Sequence, residues 1–301
     1  MTIAASRAGA ADRDRVVTAT RVKAKKSNAP MVRTIISAII IVLWCIAPFY
    51  WMIVTAFRDV GFTYDTTPWP THVTLDNFAT AFSTNLGNHL GQAMLNSLFI
   101  GATVTVVALL FGISAAYALA RLEFKGKSIV AGLILAASMF PGVALITPLF
   151  QLFTNIGWMG TYQALIIPSI SFVLPLTVYT LTAFLREMPW DLEEAARIDG
   201  CTRVQAFFRV IFPLAAPAVF TTAILAFISS WNEYLISSQL SSDATQPVTV
   251  AIAGFAGSQP HVEPYTAVMA AGTIVTIPLV ILVLIFQRRI VAGLTAGGVK
   301  G

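Results

Sequence analysis

Few residues in this sequence have both the type and the spacing that catalysis needs. Gly126-Lys127-Ser128 matches the end of a phosphate-binding loop, which holds the phosphates of a nucleotide. That loop requires another glycine five residues earlier, where this sequence has Arg121, and no strand is predicted before it. There is no HExxH pattern, and Cys45 and Cys201 are too far apart in the chain to form a metal or redox motif. We therefore expect neither nucleotide binding nor metal-dependent hydrolysis in this chain.

The composition predicts that the elements holding any functional residue are membrane helices. Of 301 residues, 56% are hydrophobic and 11% are charged, and the mean hydropathy is +0.76. Soluble domains carry about 25% charged residues, and a single core of this size cannot bury so much apolar surface. A soluble globular protein is disfavoured, and a disordered or fibrous chain is excluded.

Long uncharged stretches predict six membrane-spanning helices. A span needs about 20 mostly apolar residues, and the stretch between Lys127 and Arg186 is too long for one crossing. The turn residues 154–160 divide that stretch into two helices. The other four spans are residues 34–57, 94–120, 210–232 and 264–287. The predicted fold class is therefore an all-α polytopic membrane protein.

The basic residues predict the orientation of these spans. Of the 19 basic residues, only Arg58 falls on the opposite face from all the others. By the positive-inside rule, both termini are expected in the cytoplasm of a prokaryotic cell, with the spans in its cytoplasmic membrane. The predicted organisation is a basic, disordered tail (1–32), a six-span domain (33–289) and a cytoplasmic tail (290–301). Topology accounts for the net charge of +5, so we expect contact with membrane lipid and no nucleic-acid partner.

The predicted spans contain no ionisable residue away from their ends. Such residues usually mark proton relays and ion paths, so ion-coupled transport is disfavoured and the energy for uphill transport must come from another polypeptide. The spans do contain helix breakers, which fit either ordinary membrane packing or hinges of a moving bundle. They are Pro48, Pro141, Pro148, Pro168, Pro175, Pro217 and Pro278.

The loop between the fourth and fifth spans, residues 186–209, has the most ordered pattern in the sequence. Asp191 followed by Glu194 predicts a helix start of the capping-box type, and Gly200 is suited to end that helix with positive φ. Thr202 with Gln205 predicts a second capping box, which begins a helix leading into the fifth span. An ordered helix with small residues on a cytoplasmic loop predicts docking into another protein.

Glu194-Ala195-Ala196, Gly200 and the following segment 210–213 resemble the EAA loop of ABC importer permeases. Val210 and Phe212 depart conservatively from the Ile-x-Leu-Pro ending of that pattern. The stretch 231–234 and the terminal segment 293–301 are similar to the carbohydrate branch, in particular to the second permease subunit (MalG type) of maltose-like transporters. The resemblance covers residues 34–301 and implies a type I ABC importer permease fold.

The resemblance also implies partners and residue roles. The partners are a second EAA-type permease, a dimer of ATP-binding subunits that holds the ATP and magnesium, and an extracytoplasmic sugar-binding protein; no cofactor is expected in this chain. The residues expected to contact the ATPase are Glu193, Glu194, Ala195, Ala196, Arg197, Asp199 and Gly200, with Thr295, Ala296, Gly297 and Gly298 in the tail. Within the outer loop 235–263, Gly254, Phe255 and Gly257 are expected to contact the binding protein, and Trp231, Asn232, Glu233 and Tyr234 are candidates for the substrate path.

The substrate implied is a di- or oligosaccharide of the maltose or trehalose type. Importers of glycerol phosphate or a polyamine remain alternatives, as does a stand-alone carrier or channel of a different class. Phosphate recognition favours basic residues near the path, and the outer half offers only Arg58. This favours a neutral substrate.

Overall fold

The computed structural model describes residues 29–255 and 264–296. Within them the regular structure is helical, and Arg58 and Val73 form an isolated antiparallel bridge. The α-helices in chain order are α1 Ala29–Ala56, α2 Asp76–Ala81, α3 Leu90–Arg121, α4 Lys127–Ser138, α5 Ile146–Asn155, α6 Tyr162–Glu187, α7 Asp191–Ile198, α8 Arg203–Ala206, α9 Phe212–Trp231, α10 Ser237–Leu240, α11 Val248–Ala253 and α12 Tyr265–Ala296. Short 3₁₀ turns lie at Val60–Phe62, Thr84–Leu86 and Gly142–Leu145, and a π-helical segment, Phe207–Ile211, joins α8 to α9.

Among the described residues, five helices are long and apolar enough to cross a membrane. They are Met31–Ala56, Leu90–Arg121, Tyr162–Glu187, Arg203–Trp231 and Tyr265–Gln287. A sixth crossing exists if Lys127–Ser138 and Gly142–Asn155, which meet at 86°, form one broken span. The six apolar stretches predicted from the sequence correspond to these elements, but the break inside the third was not predicted.

The break in the third span has a local cause at Pro141. This residue has an extended backbone (φ −69°, ψ 111°) and cannot donate a hydrogen bond. Before it, the amide groups of Met139 and Phe140 bond to Ala136 and Ala137, three residues back, as in a tightening last turn. One helix therefore ends before the proline, and the next helical segment begins after it in a different direction.

The chain divides into two compact units. Residues 1–48 form one unit, of which the structure describes the apolar helical segment from Ala29 to Pro48, and residues 49–301 form the other. In the second unit, α3 lies at the centre against α6 and α9, while α12 packs on α9 and α2, and α4 packs on α6.

Three clusters of buried apolar side chains hold the second unit together, and α3 contributes to each. The first joins α3 to α5, α6, α9 and α10, and the second joins α3 to α6 and α9. The third joins α3 to α2, α9, α11 and α12. Their largest fully buried members include Leu165 and Leu240, Leu181 and Ile211, and Trp231 and Val248, respectively.

Candidate functional site

Helix α7 lies in the loop that the sequence singled out, but it begins differently from the prediction. Its N-cap is Trp190, which has helical backbone angles and makes no side-chain capping bond. The amide groups of Glu193 and Glu194 both bond to the carbonyl of Trp190, at 3.0 and 3.2 Å. The predicted capping box from Asp191 to Glu194 is therefore wrong, because Asp191 already lies inside the first turn. The carboxylates of the first turn, on Asp191, Glu193 and Glu194, interact favourably with the positive end of the helix dipole instead.

The end of α7 agrees with the prediction. Gly200 has φ +90°, a conformation that only glycine adopts without strain. The amide of Gly200 bonds to Arg197 O at 3.1 Å, and the amide of Cys201 bonds to Ala196 O at 3.0 Å. This pair of bonds is a Schellman motif, which satisfies carbonyls at the end of the helix. It fixes the corner between α7 and the next helix.

The second predicted cap is confirmed. Thr202 Oγ1 accepts a hydrogen bond from the amide of Gln205 (3.3 Å), and Gln205 Oε1 accepts one from the amide of Thr202 (2.9 Å). Helix α8 continues through the π-helical segment into α9. A short, capped corner and the π-helical segment therefore connect α7 to a membrane span.

The two faces of α7 are clearly different. Glu193 and Ala196, three residues apart, are buried against the helical bundle. The other residues named for this site in the sequence, Glu194, Ala195, Arg197, Asp199 and Gly200, are exposed. Ile198 lies among them with 86% of its surface exposed, which is unusual for a large apolar side chain on a charged helix. The exposed face thus combines charge with apolar surface, a composition suited to contact with another protein.

Two residues of α3 hold the buried face of this loop, and sequence reasoning missed both. The hydroxyl of Tyr117 donates a hydrogen bond of 2.7 Å to Glu193 Oε1. Arg121 Nη2 donates one of 2.9 Å to the carbonyl of Met188, and the guanidinium lies 4.6 Å from the centre of the Trp190 ring. Tyr117 and Arg121 are four residues apart on one helix face. That spacing was the available signal, but it did not identify the partner loop.

The stretch 231–234 is divided between core and surface. Trp231 is 2% exposed and packs against Phe227 in the third apolar cluster, with 5.6 Å between ring centres. Asn232 Nδ2 donates to Ile228 O at 2.9 Å, while Tyr234 is 42% exposed.

Glu233 caps the short helix α10. Its carboxylate accepts from the amide groups of Ile236 (2.7 Å) and Ser237 (3.0 Å) and from the Ser237 hydroxyl. Glu233 also lines a cleft of about 200 Å³, whose other walls include Gly142, Ser169, Phe172 and Ser230. The candidate substrate residues therefore have packing and capping contacts of their own in this structure.

The remaining predicted site residues lie near the limits of the described chain. Gly254 caps the end of α11, and Phe255 is buried in the third apolar cluster. Gly257 lies outside the described residues, as do Gly297 and Gly298. Thr295 and Ala296 form the end of α12.

The arrangement of apolar spans with the short helix α7 between two of them is the one expected of a membrane permease. Residues 108–295 match the family described as the binding-protein-dependent transport system inner membrane component, and the chain belongs to this family. The chain is therefore a membrane transport subunit rather than an enzyme, and members of this family act with other permease, ATPase and binding-protein subunits. The predicted fold class and membrane location are confirmed by this match.

Three relatives cover most of the chain. The trehalose transport system permease protein SugB of Mycobacterium tuberculosis is 46% identical, over 87% of this chain and 95% of that protein. The trehalose/maltose transport system permease protein MalG of Thermococcus litoralis is 40% identical, over 89% and 96%. The sulfoquinovosyl glycerol transport system permease protein SmoH of Agrobacterium fabrum is 38% identical, over 88% and 93%.

A solved structure supports the fold alone. A chain of a bacterial ABC transporter involved in the import of the acidic polysaccharide alginate superposes with a TM-score of 0.72 and 20% identity, over 87% of this chain and 98% of that one.

Proposed function

We propose that this chain is one of two permease subunits of an ATP-driven sugar importer and forms half of its translocation pathway. The second half is another EAA-type permease, and an ATPase dimer on the cytoplasmic side supplies the energy. A sugar-binding protein delivers the substrate outside. Both termini are cytoplasmic in this proposal, because Arg58 is the one basic residue expected on the outer face.

The observation that carries the proposal is the division of α7 into an anchored and a free face. Glu193 and Ala196 attach it to the bundle, whereas Glu194, Arg197 and Ile198 project outward. The small side chain of Ala195 on the exposed face permits close approach of a partner. We infer that this face enters a cleft of the ATPase subunit and that Glu194 pairs there with a basic residue.

The surroundings of Arg58 support a neutral substrate. Its side chain is fully buried, and its Nη1 and Nη2 donate to the carbonyls of Asp65 and Thr67. Its guanidinium also lies 4.8 Å from the centre of the Trp51 ring. The Arg58 guanidinium is thus buried and bonded to its own loop, so it is not available to bind a phosphate.

Two further points support a di- or oligosaccharide of the trehalose or maltose type. The relatives named for these sugars have the higher identities of the three described above. Neutral sugars need hydroxyl-binding groups and apolar faces rather than charge. The cleft beside Glu233, with Phe172 and Ser230 in its walls, offers both kinds of surface in this chain.

Transport proceeds by alternating access in this proposal. Closure of the ATPase dimer moves α7, and the capped corner at Gly200 and Thr202 passes this movement to α9. The permease halves then open outward and receive the sugar from the binding protein, which contacts the outer loop around Gly254, Phe255 and Gly257. Hydrolysis restores the inward-facing state, and the tail from Thr295 to Gly298 contacts the ATPase subunits.

The test is reconstitution of the permease with its neighbouring permease, ATPase and binding-protein genes, followed by uptake and ATP hydrolysis with a panel of sugars. Wild type should respond to trehalose or maltose and not to glycerol phosphate or a polyamine. Glu194→Ala and Gly200→Pro should abolish substrate-stimulated hydrolysis while membrane insertion is kept. Glu123→Ala, which removes an exposed acid on the α3–α4 loop, is the matched control. Wild-type uptake and stimulation in both loop variants would contradict the coupling role, and transport by the isolated chain would favour a stand-alone carrier.

A further inference from the structure

We propose that Tyr117 and Arg121 are positioning residues that fasten α7 to α3, so that a force on α7 reaches the membrane helices. This inference rests on the proposed function, because it assigns a route for the movement that the ATPase supplies. It adds two residues of a membrane span to a function otherwise carried by the loop. Neither belongs to the EAA pattern.

The first attachment is the hydrogen bond from Tyr117 to Glu193. It is 2.7 Å long, joins residues 76 positions apart, and ends on a carboxylate that is 8% exposed. A hydrogen bond to a charged group is stronger than one between neutral groups, and low exposure strengthens it further. The Tyr117 ring also packs edge-on against Phe207, with 4.9 Å between ring centres, in the segment that leads into α9. One side chain of α3 thus contacts both α7 and the π-helical segment that leads into α9.

The second attachment lies one helical turn further along α3. Arg121 is 5% exposed, and it holds the chain just before α7 through the Met188 carbonyl and the Trp190 ring. Arg121 thus holds α7 at its start, and Tyr117 holds it on its buried face. A helix held at two points moves with its support, whereas a helix held at one point can rotate about it.

Three buried polar atoms at this contact make the two existing hydrogen bonds important. Within the described residues, Nε and Nη1 of Arg121 and Oε2 of Glu193 are buried and have no hydrogen-bond partner. Polar groups buried without partners cost free energy. The bonds from Tyr117 to Glu193 and from Arg121 to Met188 offset part of that cost, and loss of either bond would leave one more buried group unpaired.

A purely apolar contact does not explain this arrangement. Ala196, the other buried residue of α7, has a small side chain and contributes little area, so packing alone holds α7 weakly. Loss of the Tyr117 hydroxyl should therefore loosen α7 without disturbing the packing of α3, α6 and α9. This predicts a specific defect: the complex assembles and hydrolyses ATP, but hydrolysis no longer drives transport efficiently.

The experiment measures substrate transported per ATP hydrolysed in proteoliposomes containing the whole transporter. Tyr117→Phe, which keeps the ring against Phe207, should lower this ratio about fivefold or more, given the strength of a charge-assisted bond. Glu193→Leu should do the same, and the double variant should be no worse than either single one, because both remove one interaction. Glu193→Gln keeps an acceptor for the Tyr117 hydroxyl but loses the charge, so its ratio should lie between those of Glu193→Leu and wild type. Tyr179→Phe, at a tyrosine of α6 that is 61% exposed, is the matched control.

An unchanged ratio in Tyr117→Phe would overturn the inference, and so would a loss that merely follows failed assembly of the complex. A second measurement distinguishes failure of this inference from failure of the proposed function. Hydrogen exchange of the amides in α7 should be faster in Tyr117→Phe than in wild type or Tyr179→Phe, whichever substrate the transporter takes. If wild type responds to no sugar but α7 still loosens, the attachment stands and the sugar assignment fails. If the α7 amides exchange at the wild-type rate in Tyr117→Phe, the attachment itself is refuted.

Discussion

The hydroxyl of Tyr162 on α6 donates a hydrogen bond of 2.8 Å to Oδ1 of Asn96 on α3. Nε2 of Gln92 donates to the same oxygen at 2.9 Å, and Nδ2 of Asn96 donates to the carbonyls of Ala244 and Gln246 at 3.0 Å. A side-chain amide has two donors and two acceptor positions, so all four are used here. Asn96, which is 1% exposed, thus joins two spans to the connection between α10 and α11.

Replacing Asn96 by Asp should destabilise the permease substantially. The two N–H donors become an oxygen that faces the carbonyls of Ala244 and Gln246, which then lose their partner. We expect a loss of about 2 kcal/mol or more, measured as a lower midpoint of thermal unfolding for the purified transporter. Gln92→Ala removes a single bond of the same network and serves as the control, with a smaller decrease. Equal midpoints for wild type and Asn96→Asp would contradict the assigned role.

The sequence was sufficient for those parts of the fold that have local signals. Uncharged apolar runs located the spans, and Gly200 and the pair Thr202–Gln205 located the corner after α7, because caps and span lengths depend on neighbouring residues. The polar contacts between helices have no such signal. Tyr162 and Asn96 are 66 positions apart, and Tyr117 and Glu193 are 76 positions apart. Such pairs are decided by how the helices pack.

Two differences between sequence and structure have simple physical causes. Asp191 is a residue type that often caps helices, but the residue before it, Trp190, already has helical backbone angles. Asp191 therefore lies inside the helix and is not its N-cap. Pro141 has the same residue type as Pro168 and Pro175, which lie within α6. The residue type alone therefore does not decide whether a span keeps its proline within a continuous helix or breaks at it, and the sequence left that choice open.

Gly112→Ala should weaken the contact between α3 and α6. A Cβ atom at this position would lie 2.5 Å from Cγ2 of Thr177, whose hydroxyl bonds to Val173 O at 3.0 Å. Because that bond holds the threonine side chain, the helices must separate, at a cost of about 1–3 kcal/mol. Thermal unfolding of the purified transporter measures the effect. Gly132→Ala is the control, since nothing lies within 4 Å of its added Cβ; a similar decrease in both variants would refute the close-approach explanation.

Gly200→Ala should impair coupling through backbone strain alone. The added Cβ meets nothing within 4 Å, so sterics with other residues are absent, but φ +90° is unfavourable for alanine. The expected cost is about 1–2 kcal/mol, which loosens the Schellman motif at the end of α7. Stimulation of ATP hydrolysis by the loaded binding protein should fall, while Gly200→Asn should retain more of it, because asparagine tolerates positive φ better. If alanine and asparagine variants both matched wild type, the corner would not require this conformation.

Glu233→Gln should lower stability before it alters substrate preference. The Glu233 carboxylate accepts two amide bonds and one hydroxyl bond at the start of α10, and an uncharged amide can satisfy fewer of these donors. We expect a lower unfolding midpoint with the same order of sugars in the uptake panel. Asp243→Asn, at an exposed acid on the α10–α11 connection, is the control. A changed order of sugars with unchanged stability would instead assign Glu233 to the substrate path.

Asp65 gives the stability of the loop between α1 and α2 a defined dependence on pH. Its carboxylate accepts hydrogen bonds from the amide (3.1 Å) and hydroxyl (2.9 Å) of Thr67 and from the Thr71 hydroxyl (3.0 Å), and Arg58 lies nearby. These bonds, with that of the Thr67 backbone first, lower the pKa of Asp65 below its ordinary value of 3.8. A carboxylate with a lowered pKa in the folded state stabilises that state above the ordinary value, and the contribution disappears as pH falls through the folded pKa.

The difference in unfolding midpoint between wild type and Asp65→Asn should therefore be constant at neutral pH. It should shrink as the pH approaches and falls below 3.8, because the unfolded carboxyl binds a proton before the folded one does. Asp76→Asn, which removes an exposed acid in the first turn of α2, is the control for loss of a surface carboxylate. A difference that stays the same as the pH falls below 3.8 would mean that the hydrogen bonds from Thr67 and Thr71 do not favour the charged form of Asp65.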